Sequence, residues 1–103
     1  MKWLLIGPWR PMAGTGQNVT IGASSTQSTA FDANNEGSQA IQISAIGGNC
    51  HVAIGMNPTA AATDMLVKAS DPPLMIRIAP GEKLAAIQDG SSTGTLNIIE
   101  MTH

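Results

Sequence analysis

From Gln17 onward the chain repeats one pattern: four to seven residues rich in β-branched side chains, then a turn built of Gly, Asn, Asp, Ser or Pro. In Ala40-Ile41-Gln42-Ile43-Ser44-Ala45 apolar and polar positions alternate until Gly47-Gly48 stops the run, and Cys50-His51-Val52-Ala53-Ile54 does the same up to Gly55. Leu74-Met75-Ile76-Arg77-Ile78 puts Leu74, Ile76 and Ile78 on one side before Pro80-Gly81. A period of two is that of a strand with one face buried, because successive side chains point to opposite sides. Further strands are predicted over 18–21, 28–31, 83–88 and 95–101, with a short edge strand around 65–68. About eight short strands, with turn signals roughly every 8–12 residues, predict an all-β fold: an antiparallel β-sandwich of jelly-roll type. Pro58 to Asp64 is Ala-rich, which favours helix, but Asn57-Pro58 and Asp71-Pro72-Pro73 bracket it, so a loop with at most one helical turn is expected.

The first sixteen residues break the pattern. They hold both tryptophans, Trp3 and Trp9, with Lys2 and Arg10 and no acidic side chain. Gly7-Pro8 and Arg10-Pro11 interrupt any regular element, and Ala13-Gly14-Thr15-Gly16 reads as a joint. The organisation expected is an extended N-terminal arm over 1–16, outside the sheet, and a sandwich domain over 17–103. An indole in a segment with no core of its own needs burial elsewhere. Trp3 and Trp9 are expected to dock on a partner or neighbouring copy, or else to fold back on their own sandwich. Arg10 would bond a carboxylate or carbonyl beside them. The start Met1-Lys2-Trp3-Leu4-Leu5-Ile6 has the sense of a signal peptide, but Gly7-Pro8 ends it short of the roughly 7–15 apolar residues a signal core needs. No run approaches the roughly 20 apolar residues of a membrane span, so a soluble protein made in a cytoplasm is expected, with no membrane partner.

Charge sharpens this picture. Charged residues make up 12% of the chain, about half the usual share, and the formal net charge is −2. That gives no field able to hold nucleic acid or acidic lipid. At 103 residues the chain is one domain, and its single cysteine excludes an internal disulfide. A domain of this size is marginal alone. Few charges keep copies apart, so self-association is the expected source of further burial.

Candidate chemistry is sparse. Cys50 and His51 are strand neighbours with side chains on opposite faces, so they cannot share a metal; Cys50 is expected in the core and His51 free on the surface. The sequence has no HExxH or CxxC motif, and neither a metal site nor a cofactor is expected. Asp32, Glu36, Asp64, Asp71, Glu82 and Asp89 all fall in predicted turns, where carboxylates bond backbone, and only Glu100 lies inside a strand. No serine has a GxSxG setting. Gly14-Thr15-Gly16 lacks the lysine of a phosphate loop, and Asn18-Val19-Thr20 is a sequon without a secretory signal. An enzyme is not expected, nor a small-molecule substrate. Met56, Met65 and Met75, three of six methionines, suit gap-filling in a core poor in aromatics, or an adaptable surface.

Three stretches carry a resemblance. They are the strand and turn Asn49-Cys50-His51-Val52-Ala53-Ile54-Gly55-Met56-Asn57-Pro58-Thr59-Ala60, the turn and strand Ile78-Ala79-Pro80-Gly81-Glu82-Lys83-Leu84-Ala85-Ala86-Ile87-Gln88, and the closing Gly94-Thr95-Leu96-Asn97-Ile98-Ile99-Glu100-Met101-Thr102. Together they resemble small β-rich accessory virion proteins of tailed bacteriophages, known as decoration or cement proteins. The likeness covers residues 17 to 102 and leaves out the tryptophan-bearing arm. It implies a structural protein on the capsid surface, assembled as a trimer at junctions between subunits and binding the major capsid protein by buried area. The alternative is a carbohydrate-binding or tail-fibre-like sandwich module, for which Trp3, Trp9 and Phe31 are the available stacking rings.

Overall fold

A computed structural model describes residues 9–102. Among them are nine strands and no helix: β1 (Arg10–Pro11), β2 (Gln17–Ile21), β3 (Thr26–Gln27), β4 (Ala40–Ile46), β5 (Cys50–Gly55), β6 (Met65–Val67), β7 (Leu74–Arg77), β8 (Lys83–Gln88) and β9 (Gly94–Thr102). They form two antiparallel sheets. Sheet A has the order β1-β9-β4-β7, with β2 also pairing β9, and sheet B has the order β3-β8-β5-β6. The pairings β2 with β9, β3 with β8, β4 with β7 and β5 with β6 are all antiparallel.

The inward faces share one core, as the alternation predicts. Val19 and Ile21 of β2, Ile41 and Ile43 of β4, and Leu96 and Ile98 of β9 supply it from sheet A. Cys50 and Val52 of β5, Val67 of β6, and Leu84 and Ala86 of β8 supply it from sheet B. Burial of one such aliphatic chain stabilises by about 1.5–3 kcal/mol. Phe31, from the connection between the sheets, is the largest fully buried side chain. Two turns close tightly over one end. A Cβ on Gly48 would press into the Thr93 carbonyl, and one on Gly94 into the Ile46 carbonyl, so both turns need a residue without one.

Two expectations are corrected. Residues 10–11 are not outside the sheet: Arg10 pairs Thr102 and Pro11 pairs Met101. The cause is the length of β9. β2 covers only Gly94–Ile98, and the overhanging backbone needs partners, which β1 and the Met12 N–H (to the Glu100 carbonyl, 2.9 Å) provide. An edge strand tolerates Pro11. The strand expected at 28–31 instead occupies Thr26–Gln27. Ser28 ends it, because its hydroxyl accepts the Leu84 N–H at 2.9 Å where a ladder carbonyl would. Residues 58–64 form the expected loop, with one hydrogen-bonded turn in which the Asp64 N–H donates to the Ala61 carbonyl at 3.0 Å. Asp64 closes a local turn there, its carboxylate accepting the Ala61 N–H at 2.7 Å.

Candidate functional site

Strand register sorts the outward side chains of the two sheets. On sheet A, the register of β9 with β2 and β4 sets Asn18, Thr20, Gln42, Ser44, Ile46, Thr95, Asn97 and Ile99 on the outward face. Met75 and Arg77 of β7 join them. Arg77 is the single charge in this set. Ile46 is 56% exposed and Met75 41%, while Asn18 and Asn97 bond each other side by side at 3.1 Å. Around Ile46 and Met75 the face is exposed, apolar in patches and otherwise amide or hydroxyl, whereas Ala40 and Met101, at the same parity, are buried.

A groove of about 470 Å³ crosses the end of this face, lined by Trp9, Gln39, Ala40, Met75 and Arg77 among others. Of the three predicted interaction residues, the structure places Trp9 on this groove, 40% exposed. Arg10 is exposed in β1. Trp3 lies outside the described residues.

Sheet B is different, because the chain covers its own outer face. The outward positions include His51 and Ala53 of β5, Lys83, Ala85 and Ile87 of β8, Gln27 of β3 and Leu66 of β6. Ala85 has no exposed surface and His51 only 9%. The segment 56–64 lies across them as a strap. Gln27 Nε2 donates to Asn57 Oδ1 at 2.9 Å and to the Pro58 carbonyl at 2.8 Å. The Ala60 N–H donates to Ser25 Oγ at 2.9 Å, and Ala60 itself is buried. Small side chains at 53 and 85 let the strap lie close.

His51 ends the strap. Its Nδ1 is 2.9 Å from the Asp64 carbonyl oxygen and its Nε2 is 3.0 Å from an Asp89 carboxylate oxygen. The ring lies on the outward side, as its parity requires, but it is not a free surface histidine: the strap and the β8–β9 turn enclose it. The backbone bond to Asp64, then the bond to Asp89, hold its pKa above the ordinary value, and partial desolvation opposes them without winning. Cys50, on the other face, has no exposed surface. Burial pushes its thiol up to about 11, so it stays protonated and inert at neutral pH.

The turn carboxylates bond backbone. Asp32 accepts the Gly37 N–H at 3.0 Å, Asp71 the Lys68 N–H at 3.0 Å, and Glu82 the Ala79 N–H at 2.7 Å. Glu100 stands apart. Its parity with Leu96 and Ile98 turns it toward the core, where it is 7% exposed. It accepts the Asp32 N–H at 2.9 Å and the Ser38 hydroxyl on the same oxygen. A charged residue at a core parity position was the signal for it, legible in the alternation of β9. A second hollow of about 200 Å³, lined by Thr15, Gln17, Asn34 and Glu36 among others, opens beside it. Among the described residues no three His, Cys, Asp or Glu side chains group closely enough to hold a metal ion, and no helix is long and apolar enough to cross a membrane.

No protein-family model matches the chain, and neither a curated protein nor a solved structure matches it. The likeness to phage accessory proteins therefore rests on the residues quoted above.

Proposed function

We propose that this chain is a structural virion protein. It is a decoration, or cement, protein that self-associates as a trimer on a phage head and stabilises the shell by binding the major capsid protein. The observation that carries this reading is the contrast between the two outer faces: the chain's own strap covers one around His51 and Ala85, and among residues 9–102 the other carries exposed Ile46 and Met75 and a single charge, Arg77. The occupant of the open face is a second copy of this chain. Two such surfaces meet with few charges to desolvate and little like-charge repulsion, which is the main electrostatic cost of an interface.

The strand pairing supports the finer reading of a jelly roll. Pairs β2–β9, β3–β8, β4–β7 and β5–β6 are those of one long antiparallel hairpin rolled so that successive pairs alternate between the two sheets, with β1 added to the five-stranded one. Viral capsid and lectin domains use that architecture. A fold hosts many functions, so the open face and the likeness over 17–102 give the reading its direction. On it the protein is not an enzyme, and it takes no cofactor.

Light scattering on purified protein tests self-association. An oligomer is expected, and Ile46→Glu together with Met75→Glu should shift it toward monomer. Shells lacking the protein should gain heat resistance when it is added back. A monomer at every concentration that also ignores such shells overturns the proposal. One observation favours a second reading: Trp9 presents a part-exposed ring beside a groove, as a sugar-stacking residue would. Glycan-array binding abolished by Trp9→Ala would raise the carbohydrate-binding module above the first.

A further inference from the structure

We propose that His51 is a charged staple that fastens the 56–64 strap over sheet B, and that loss of one ring proton frees the strap at Asp64. The proposal stands on geometry independent of what the open face of sheet A binds. A carbonyl oxygen and a carboxylate oxygen only accept hydrogen bonds, and they face the two ring nitrogens at 2.9 and 3.0 Å. Satisfying both requires an N–H at both positions, which only the imidazolium has. The neutral ring keeps one proton and must turn a lone pair toward one of the two oxygens.

Which contact fails follows from their strengths. A hydrogen bond to an ionised carboxylate is the stronger kind, so the neutral ring keeps its proton on Nε2 toward Asp89. The lone pair on Nδ1 then opposes the Asp64 carbonyl, and the strap loses that end. Its other end is indifferent to pH, because Gln27 and Ser25 hold Asn57, Pro58 and Ala60 through neutral groups. Release is therefore confined to the part of the strap next to β6.

The other elements around the ring add no competing titration. Its ladder neighbours are Leu66 on β6 and Ile87 on β8. The ionisable groups acting on it are Asp89 and, from the strap, Asp64, and both favour the cation. A histidine whose folded-state pKa is raised contributes fully below its unfolded value of about 6.5. That contribution is lost as the pH rises through the folded value, so the strap is fastened in acid and opens toward alkaline pH.

The test is a nitrogen-15 titration of the imidazole rings with amide hydrogen exchange at residues 61–66, expressed as protection factors. His51 should titrate above the ordinary histidine value of about 6.5, end as the Nε2–H tautomer, and lose protection at Asp64 by roughly three- to tenfold over the same pH range. Asp89→Asn keeps an accepting oxygen without the charge and should move that transition to lower pH. In His51→Gln, whose amide does not titrate in this range, protection at Asp64 should be independent of pH. If that variant does not fold, the titrations of the parent protein and Asp89→Asn still decide. A His51 ring that titrates at or below about 6.5, or protection at Asp64 that ignores its titration, overturns the proposal.

Discussion

Replacing Phe31 with alanine isolates the contribution of one side chain, because the backbone bonds around it survive. The ring has no exposed surface. Aromatic side chains bury about 150–250 Å². At about 25 cal/mol per Å², the part lost beyond Cβ accounts for about 3–5 kcal/mol. Collapse of the surroundings could recover some of this, but the loop is held from two directions. The Phe31 N–H donates to the Glu82 carbonyl at 2.8 Å, and the Phe31 carbonyl accepts the Gly81 N–H at 2.9 Å. A cavity that cannot relax puts the cost in the upper half of the usual range, at about 4–5 kcal/mol.

Urea unfolding followed by far-UV circular dichroism, at one protein concentration, measures the difference. With a slope of about 1.5 kcal/mol per molar urea, the midpoint should fall by about 3 M. Phe31→Leu, which refills most of the space, should cost less than about 1.5 kcal/mol. An alanine variant within about 1 kcal/mol of the parent would refute the placement of Phe31 at the centre of the core.

Three further outcomes are expected. Glu100→Ala leaves the Asp32 N–H and Ser38 hydroxyl without their acceptor and should destabilise by about 2–4 kcal/mol, whereas Glu100→Gln, which retains an oxygen, should cost clearly less; paired denaturation curves separate the two. Gly94→Ala drives a methyl against the Ile46 carbonyl and should cost about 1–3 kcal/mol by thermal unfolding, with Gly22→Ala, which meets open space, as the mild control. Cys50 should resist a thiol reagent at pH 8 in the folded protein and react at once in denaturant, since both burial and its raised pKa protect it.

The alternation of apolar and polar positions made the long strands legible. Ile41, Ile43 and Ala45 of β4 and Leu96 and Ile98 of β9 are at core parity and buried, though Ala40 and Met101 are buried at the opposite parity, and parity also separated Cys50 from His51. What the sequence hid depends on partners far along the chain. β1 has no alternation of its own and exists because β9 outruns β2. β3 sits two residues early because the Ser28 hydroxyl meets Leu84, 56 residues on. The strap reads locally as an Ala-rich loop, and only Gln27, Ser25 and His51, none of them near it in sequence, give it a course. Glu100 is the exception: its parity placed a charge in the core, and the missing piece was the Asp32–Ser38 loop that receives it.

The low charge of the chain acquires a structural meaning once the two sheets are compared. A sandwich with polar residues on both outer faces needs no partner. Here sheet B carries Ala53, Ala85, Ile87 and Leu66 outward beside Lys83 and Gln27, and the protein covers part of this surface, though not Leu66, with a strap anchored by amide, hydroxyl and imidazole groups. Sheet A carries Ile46, Ile99 and Met75 outward among uncharged Asn, Gln, Ser and Thr, and no segment between Trp9 and Thr102 is laid across it in the same way. Amides and hydroxyls can bond across an interface at a modest desolvation cost, whereas lysines and carboxylates in their places would resist burial. The same scarcity of charge lowers the desolvation cost of burying this sheet against protein. Burial there would supply the area that a domain of this size lacks by itself.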